Sequence, residues 1–129
     1  MTSFGFSKSS LKHREGIDTR LIEILDRAIE ITVIDFGIPK DGGLRSAERQ
    51  NELCLEGLSM CDGYVKPSNH QTGNAFDVYA YVDGKASWQS KHLAYVAAAI
   101  LQASCELGYQ LKWGGLWTSF VDMPHFELP

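Results

Sequence analysis

The chain has 129 residues, 44% of them hydrophobic, and a formal net charge of −4 from 12 basic and 16 acidic side chains. This length and composition predict a single globular domain, residues 1–129, whose core needs no disulfide or metal merely to fold. The acidic balance argues against a nucleic-acid-binding protein and provides no attraction to an anionic membrane surface.

Targeting signals and cysteines restrict the setting in which the protein works. Residues 1–8 lack the apolar core of a signal peptide, and the longest apolar run, 93–101, is too short to span a bilayer. We therefore expect a soluble protein, made in the cytosol, without stable membrane insertion. The odd set Cys54, Cys61 and Cys105 contains no Cys-x-x-Cys pair, which favours free thiols over a disulfide framework or a zinc ribbon.

The N-terminal third contains one clear helix and one strand. Residues 1–17 show no period, although Ser9-Ser10-Leu11 can begin a short turn. Apolar residues recur at helical spacing from Asp18 onward, and Asp18 or Thr19 can cap that helix. The β-branched segment Ile31 to Phe36 predicts a strand.

The middle of the chain alternates helix, loop and strand. Ser46 is a suitable N-cap for a helix from Ala47 to about Glu56. Residues 58–73 form a long polar loop, and loops of that length are often functional. Ala75 to Val82 alternates as a strand does, and Asp83-Gly84 predicts a hairpin-type turn.

The C-terminal third predicts a long helix from about Ser87 to Leu107, ended by Gly108. Strands are expected at Tyr109 to Trp113 and at Phe126 to Leu128. The resulting order of elements favours a small α+β domain with helices packed on an antiparallel sheet.

The stretch from Ser68 to Asp77 carries side chains suited to chemistry. His70 and Asp77 are separated by Gly73, which allows the chain to turn sharply between them. Zinc binds histidine nitrogen and aspartate oxygen, and a catalytic zinc commonly has three protein ligands and one position for water. One further ligand would therefore be required.

The other histidines differ in how well they could supply that ligand. His92 lies in the long helix, where a surface or core role is the expected one, and His13 is expected to be solvated. His125 opens a predicted strand three residues after Asp122, whose carboxylate is suited to move a proton between water and a leaving amine. On spacing alone, a loop merely braced by these side chains remains an open alternative.

The segment Ser68 to Asp77 has the pattern S-x-H-x-x-G-x-A-x-D. This pattern resembles the motif of the VanY-like zinc peptidases, which comprise D-Ala-D-Ala carboxypeptidases and L-alanyl-D-glutamate peptidases acting on peptidoglycan stem peptides. Residues 43–53 are similar to the family's upstream arginine segment, residues 61–63 to its phage endolysin branch, and residues 113–128 to its C-terminal motif. The resemblance extends over about Ser9 to Leu128.

The resemblance implies a hedgehog/D-Ala-D-Ala peptidase-like α+β fold with a zinc site at the sheet edge. It implies His70, Asp77 and His125 as the Zn²⁺ ligands and Asp122 as the catalytic base. Glu127 is left out of this set, because strand alternation is expected to point it away from the metal.

The resemblance also implies two residues near the substrate. Arg45 would bind a carboxylate or polarise the scissile carbonyl, and the alternative is a simple pair with a nearby acid. Ser68 would line the cleft or orient a ligand. One departure is Leu116, which occupies a position after Trp-Gly-Gly where endolysin-like members commonly have aspartate, so a substrate contact is in question.

These features together predict a zinc peptidase of the phage endolysin type that hydrolyses the L-alanyl-D-glutamate bond of the stem peptide. We expect a monomer without a separate wall-binding domain. It would be made in the host cytoplasm and reach the wall of a Gram-negative host, in the periplasm, once a holin permeabilises the membrane. The alternatives are a D-Ala-D-Ala carboxypeptidase or dipeptidase, and a non-catalytic module that binds wall peptides.

Overall fold

A computed structural model describes residues 4–129, so the part of the N-terminal prediction that concerns residues 1–3 lies outside it. The elements in chain order are α1 (Lys8–His13), α2 (Thr19–Ile31), β1 (Asp35–Gly37), α3 (Ala47–Leu55), the 3-10 turn η1 (Asn69–Thr72), β2 (Ala75–Asp77), β3 (Tyr79–Val82), β4 (Lys85–Ser87), α4 (Ser90–Leu107), β5 (Lys112–Trp113), the 3-10 turn η2 (Gly114–Leu116) and β6 (His125–Glu127). The prediction of a small α+β domain with antiparallel pairing is confirmed.

Three of the predicted helix caps are present in the structure. The Asp18 side chain accepts a hydrogen bond from the backbone of Arg20 and caps α2, and the Ser46 hydroxyl caps α3. Gly108 ends α4 in the left-handed conformation, with φ 75°. Helix α1, for which only a short turn was expected, is capped by Ser7, and its short length hides its period in the sequence.

The strands form two three-stranded antiparallel sheets, in the orders β1-β3-β4 and β2-β6-β5, where one sheet was predicted. The predicted strand from Ala75 to Val82 is divided at Val78, whose amide donates to the carbonyl of Pro124. The segment before Val78 therefore pairs with β6, and the segment after it pairs with β1.

Several elements begin or end at other residues than the sequence predicts. Helix α2 continues through Ile31, so β1 begins only at Asp35. Strand β4 takes Lys85 to Ser87, which delays the start of α4 to Ser90. Strand β5 is limited to Lys112–Trp113, and β6 begins one residue earlier than expected.

Helices α2 and α4 pack together and cover the core, and stacked aromatic rings continue this core under the second sheet. Phe76 of β2 and Phe126 of β6 are fully buried, with ring centroids 5.3 Å apart. Trp113 of β5 stacks on the other side of Phe126 at 6.2 Å. This packing fixes the register of β2 against β6. Within residues 4–129, no helix is both long and apolar enough to cross a membrane.

Candidate active site

The pairing of β2 with β6 places Asp77 directly opposite His125. His70 is delivered to the same place by the turn η1, which the Ser68 hydroxyl caps by accepting the backbone N–H of His70. Gly73 ends this turn with φ 76°, a conformation that glycine adopts without strain. The predicted sharp turn at Gly73 is therefore present, and it brings His70 and Asp77 together.

Three donor atoms converge at this point. Asp77 Oδ1 lies 3.0 Å from His125 Nδ1 and 3.4 Å from His70 Nε2, and the two ring nitrogens are 3.2 Å apart. Both histidines are buried, with 2% and 7% of their surface exposed. Ligands bound at 2.0–2.2 Å around a tetrahedral ion are separated by roughly 3.3–3.6 Å, so the three atoms are spaced almost as such an ion requires.

The hydrogen bonds on the far side of each ring decide where its proton lies. His70 Nδ1 is 2.9 Å from the carbonyl oxygen of Gly43, which can only accept, so Nδ1 donates. His125 Nε2 donates in the same way to Glu127 Oε1 at 2.8 Å. In the neutral rings, His70 Nε2 and His125 Nδ1 therefore present lone pairs to each other and to the Asp77 carboxylate. Such a cluster fits a cation, and supports the predicted ligand set.

Glu127 belongs to this arrangement, although the sequence prediction excluded it. Its Oε1 accepts from His125, and its Oε2 accepts from Asn69 Nδ2 at 2.8 Å. The carboxylate faces the ring nitrogen opposite the three donor atoms, so it orients His125 instead of joining the cluster. Residues i and i+2 of a strand share a face, and this rule could have placed Glu127 beside His125.

Arg45 contacts the carboxylate oxygen of Asp77 that the histidines leave free. Its Nη2 donates to Asp77 Oδ2 at 3.0 Å, its Nη1 to Gln50 Oε1, and its Nε to the backbone oxygen of Asp41. Ser68 and Arg45 both line the cleft. Arg45 therefore forms an ion pair with a nearby acid, Asp77, which was the alternative to a contact with the substrate.

Asp122 is positioned by close contact with the glycine segment that precedes it. Its amide donates to the carbonyl of Gly114 at 2.9 Å, and its carbonyl accepts from His125 N at 3.2 Å. A Cβ at position 114 would lie 2.3 Å from the backbone oxygen of Asp122, so only glycine permits this approach. Asp122 lines the same cleft as the three donor residues.

Burial and neighbouring charges shift the pKa values of three side chains in the site. Burial raises the pKa of Asp77, but His125 and His70 outweigh this effect, because a ring that is protonated donates a hydrogen bond to the carboxylate, and the pKa of Asp77 therefore lies well below its usual range. Burial also raises the pKa of Asp122, and the neighbouring Asp77 charge adds to this rise. For His125, burial lowers the pKa, whereas the Asp77 carboxylate, to which the protonated ring would donate, raises it above its ordinary value. The cluster thus stabilises positive charge, and Asp122 is the more basic carboxylate.

The cleft above the cluster has a volume of about 360 Å³, within the range typical of small-ligand sites. Leu58 and Met60 line it from the loop after α3, while Trp117 and Phe120 line it from the segment between η2 and β6. The cleft therefore combines these apolar side chains with the polar groups of the cluster.

A family model described as phage L-alanyl-D-glutamate peptidase matches residues 2–128. The chain belongs to this family. It is 32% identical to the L-alanyl-D-glutamate peptidase of Escherichia phage T5 over 121 residues, which is 93% of this chain and 86% of that protein. It also resembles the crystal structure of the L-Ala D-Glu endopeptidase ChiX of Serratia marcescens, with a TM-score of 0.84, 33% identity, and coverage of 96% of this chain and 89% of that one.

Membership of the phage L-alanyl-D-glutamate peptidase family confirms the resemblance predicted from the motifs and the choice of the phage branch. It also confirms the predicted fold, because the match to ChiX covers nearly the whole chain.

The remaining predicted positions lie away from the cluster. His92 contacts Ser87 Oγ, and His13 is half-buried against the carbonyl of Ile38, although solvation was expected for it. Leu116 is 72% exposed and does not line the cleft. The three cysteines are free thiols; Cys54 and Cys61 are half-buried, whereas Cys105 is exposed.

Proposed function

We propose that this chain is a zinc-dependent peptidase that hydrolyses the amide between L-alanine and D-glutamate in peptidoglycan stem peptides. The observation that supports a metal is the meeting of two histidine lone pairs and a carboxylate, each fixed from behind. Two nitrogens and one oxygen are a donor set that zinc accepts, and three protein ligands are typical of catalytic zinc. The bond assignment is supported by the names of the relatives.

The chain's own residues have distinct parts in this proposal. His70, Asp77 and His125 would hold the ion, which polarises a carbonyl and lowers the pKa of water when it is bound. Asp122 accepts a proton from the attacking water and delivers it to the leaving amine of D-glutamate. It is suited to this because its raised pKa makes it the stronger base of the two aspartates.

The other polar groups keep the donor atoms in place. Arg45 holds Asp77 so that Oδ1 faces the histidines, while Glu127 and the Gly43 carbonyl fix the two ring tautomers. The predicted direct action of Arg45 on a substrate carboxylate or carbonyl would have to use the two N–H groups that these three hydrogen bonds leave over.

The biological setting follows from the same proposal. A phage enzyme of this kind would act as an endolysin, reaching the wall from the cytoplasm through a membrane opened by a holin, and working as a monomer. A D-Ala-D-Ala carboxypeptidase would use the same chemistry on another bond. A module that only binds wall peptides would have no need of Asp122, a cleft-lining carboxylate that makes no side-chain hydrogen bond within residues 4–129.

The decisive experiment combines digestion, metal removal and one variant. Purified sacculi are incubated with the protein, and new termini are identified by mass spectrometry, before and after chelation and zinc add-back. Asp122→Asn should lower the rate by about 10²–10⁴-fold, the usual contribution of a general base, while zinc content stays unchanged.

Asp83→Asn, in the turn between β3 and β4, is the matched control and should retain full activity. Release of D-alanine without a new glutamate amino terminus would overturn the proposed bond. Undiminished activity after chelation would overturn the metal.

A further inference from the structure

The cleft contains a lysine whose charge has no partner in the part of the chain that the structure describes. Lys66 lines the same cavity as the three donor residues and Asp122. Within residues 4–129, no carboxylate oxygen lies within 4.0 Å of its ammonium group. Arg45, the other cationic side chain of the cleft, is already paired with Asp77. Lys66 is therefore the cleft cation that is available to a ligand.

The backbone at Lys66 is held firmly, although its side chain is exposed. Its N–H donates to Asp62 Oδ1 at 2.8 Å, and its carbonyl accepts from Gly63 N at 3.3 Å. The same Asp62 oxygen accepts from Tyr64 N at 2.9 Å, which closes a tight turn. Side chains of α3 tie this turn to the body of the protein, because Asn51 donates to the Asp62 carbonyl.

The charges around the cleft explain why such a cation is useful. Asp77 is paired with Arg45 and would hold the ion, whereas Asp122 and Glu127 also line the cleft and their carboxylates would repel an anionic substrate. In the L-alanyl-D-glutamate unit, glutamate supplies the nitrogen of the scissile amide and has two carboxyl groups. The onward chain of the stem uses one of them, and the other remains a free anion within the same residue.

We propose that Lys66 binds this free carboxylate of the D-glutamate residue and selects it over the corresponding carboxamide. The inference rests on the proposed function, because it assigns the cleft to that substrate. The pair would be formed at the cleft that also contains the three donor residues and Asp122, so the free carboxylate and the scissile amide of one residue can be bound together.

The test compares two synthetic stem peptides that differ only in this group, one with the free carboxylate and one with the carboxamide. Steady-state kcat and KM are measured for the wild type, Lys66→Gln and Lys66→Arg, with zinc saturating. Lys85→Gln in β4, a lysine outside the cleft, is the matched control. Product identity, which tests the proposed function, is scored separately from the ratio between the two peptides, which tests Lys66.

Lys66→Gln should lower kcat/KM for the free carboxylate by about tenfold, mainly through KM, because it removes a charge-assisted hydrogen bond. Cleavage of the carboxamide should change less than about twofold, and Lys66→Arg should restore most of the preference. Lys85→Gln should behave as the wild type. Equal loss on both peptides, or no loss on either, would overturn the assignment even if both are cut at the expected bond.

Discussion

Replacing Glu127 with alanine tests whether the hydrogen bond behind His125 prepares the proposed metal site. Glu127 Oε1 accepts from His125 Nε2 at 2.8 Å, and the two side chains are only 16% and 9% exposed, so water screens the contact weakly. Removing such an outer partner typically lowers metal affinity by about 10- to 100-fold. This corresponds to roughly 1.4–2.8 kcal/mol at 1.4 kcal/mol per tenfold change in affinity.

The assay is competition for zinc between the protein and a chromogenic chelator. The melting temperature of the zinc-saturated protein should fall with the affinity, by roughly 5–10 °C for a domain of this size. Glu127→Gln retains an acceptor oxygen and should lose less than Glu127→Ala. Asn69→Ala, which removes only the partner of Oε2, should change the affinity by less than about threefold.

Two outcomes would refute this reasoning. An unchanged zinc affinity in Glu127→Ala would show that the ring of His125 needs no support from behind. An equal loss of thermal stability with and without zinc would show that Glu127 serves the fold and not the metal.

Two further predictions concern the scaffold around the site. Gly114→Ala should destabilise the protein by about 2–3 kcal/mol in urea unfolding and lower kcat, because the new Cβ would lie 2.3 Å from the Asp122 backbone oxygen; Gly5→Ala, where the added Cβ meets nothing within 4 Å, should cost little. Burial raises the pKa of Asp35 in the folded protein, so its charge opposes folding once the pH exceeds the unfolded value of about 3.9. Asp35→Asn should therefore stabilise the protein more at pH 7 than at pH 3.5, and a stabilisation that is the same at both pH values would contradict the assigned cause.

The sequence predicts the helices better than the strands, for a physical reason. Helices α2 and α4 are long enough to show their apolar period, and their caps are ordinary ones. The strands have two to four residues each, which is too short for alternation to be distinctive. The break at Val78 depends on a hydrogen bond to Pro124, a contact that no local pattern encodes.

The residues of the site could be predicted from the sequence, but their contacts with distant parts of the chain could not. The convergence of His70, Asp77 and His125 was predicted because the residue types and their order resemble a known motif. The carbonyl of Gly43 could not be found, since every residue has such an oxygen and only the fold decides which one faces His70. The partner of Arg45 likewise depends on the tertiary fold, because Asp77 lies 32 positions further along the chain.

The register of β2 against β6 also has a consequence for the order of events in folding. Asp77 and His125 are 48 positions apart, so their pairing closes a large loop and carries the entropy cost of a non-local contact. An unfolded chain would therefore offer the proposed zinc ion only scattered ligands, and the complete set exists once β6 has docked. If docking follows the rate-limiting step, the proposed ion will slow unfolding without accelerating folding, so that it would stabilise the finished protein and would not guide its formation.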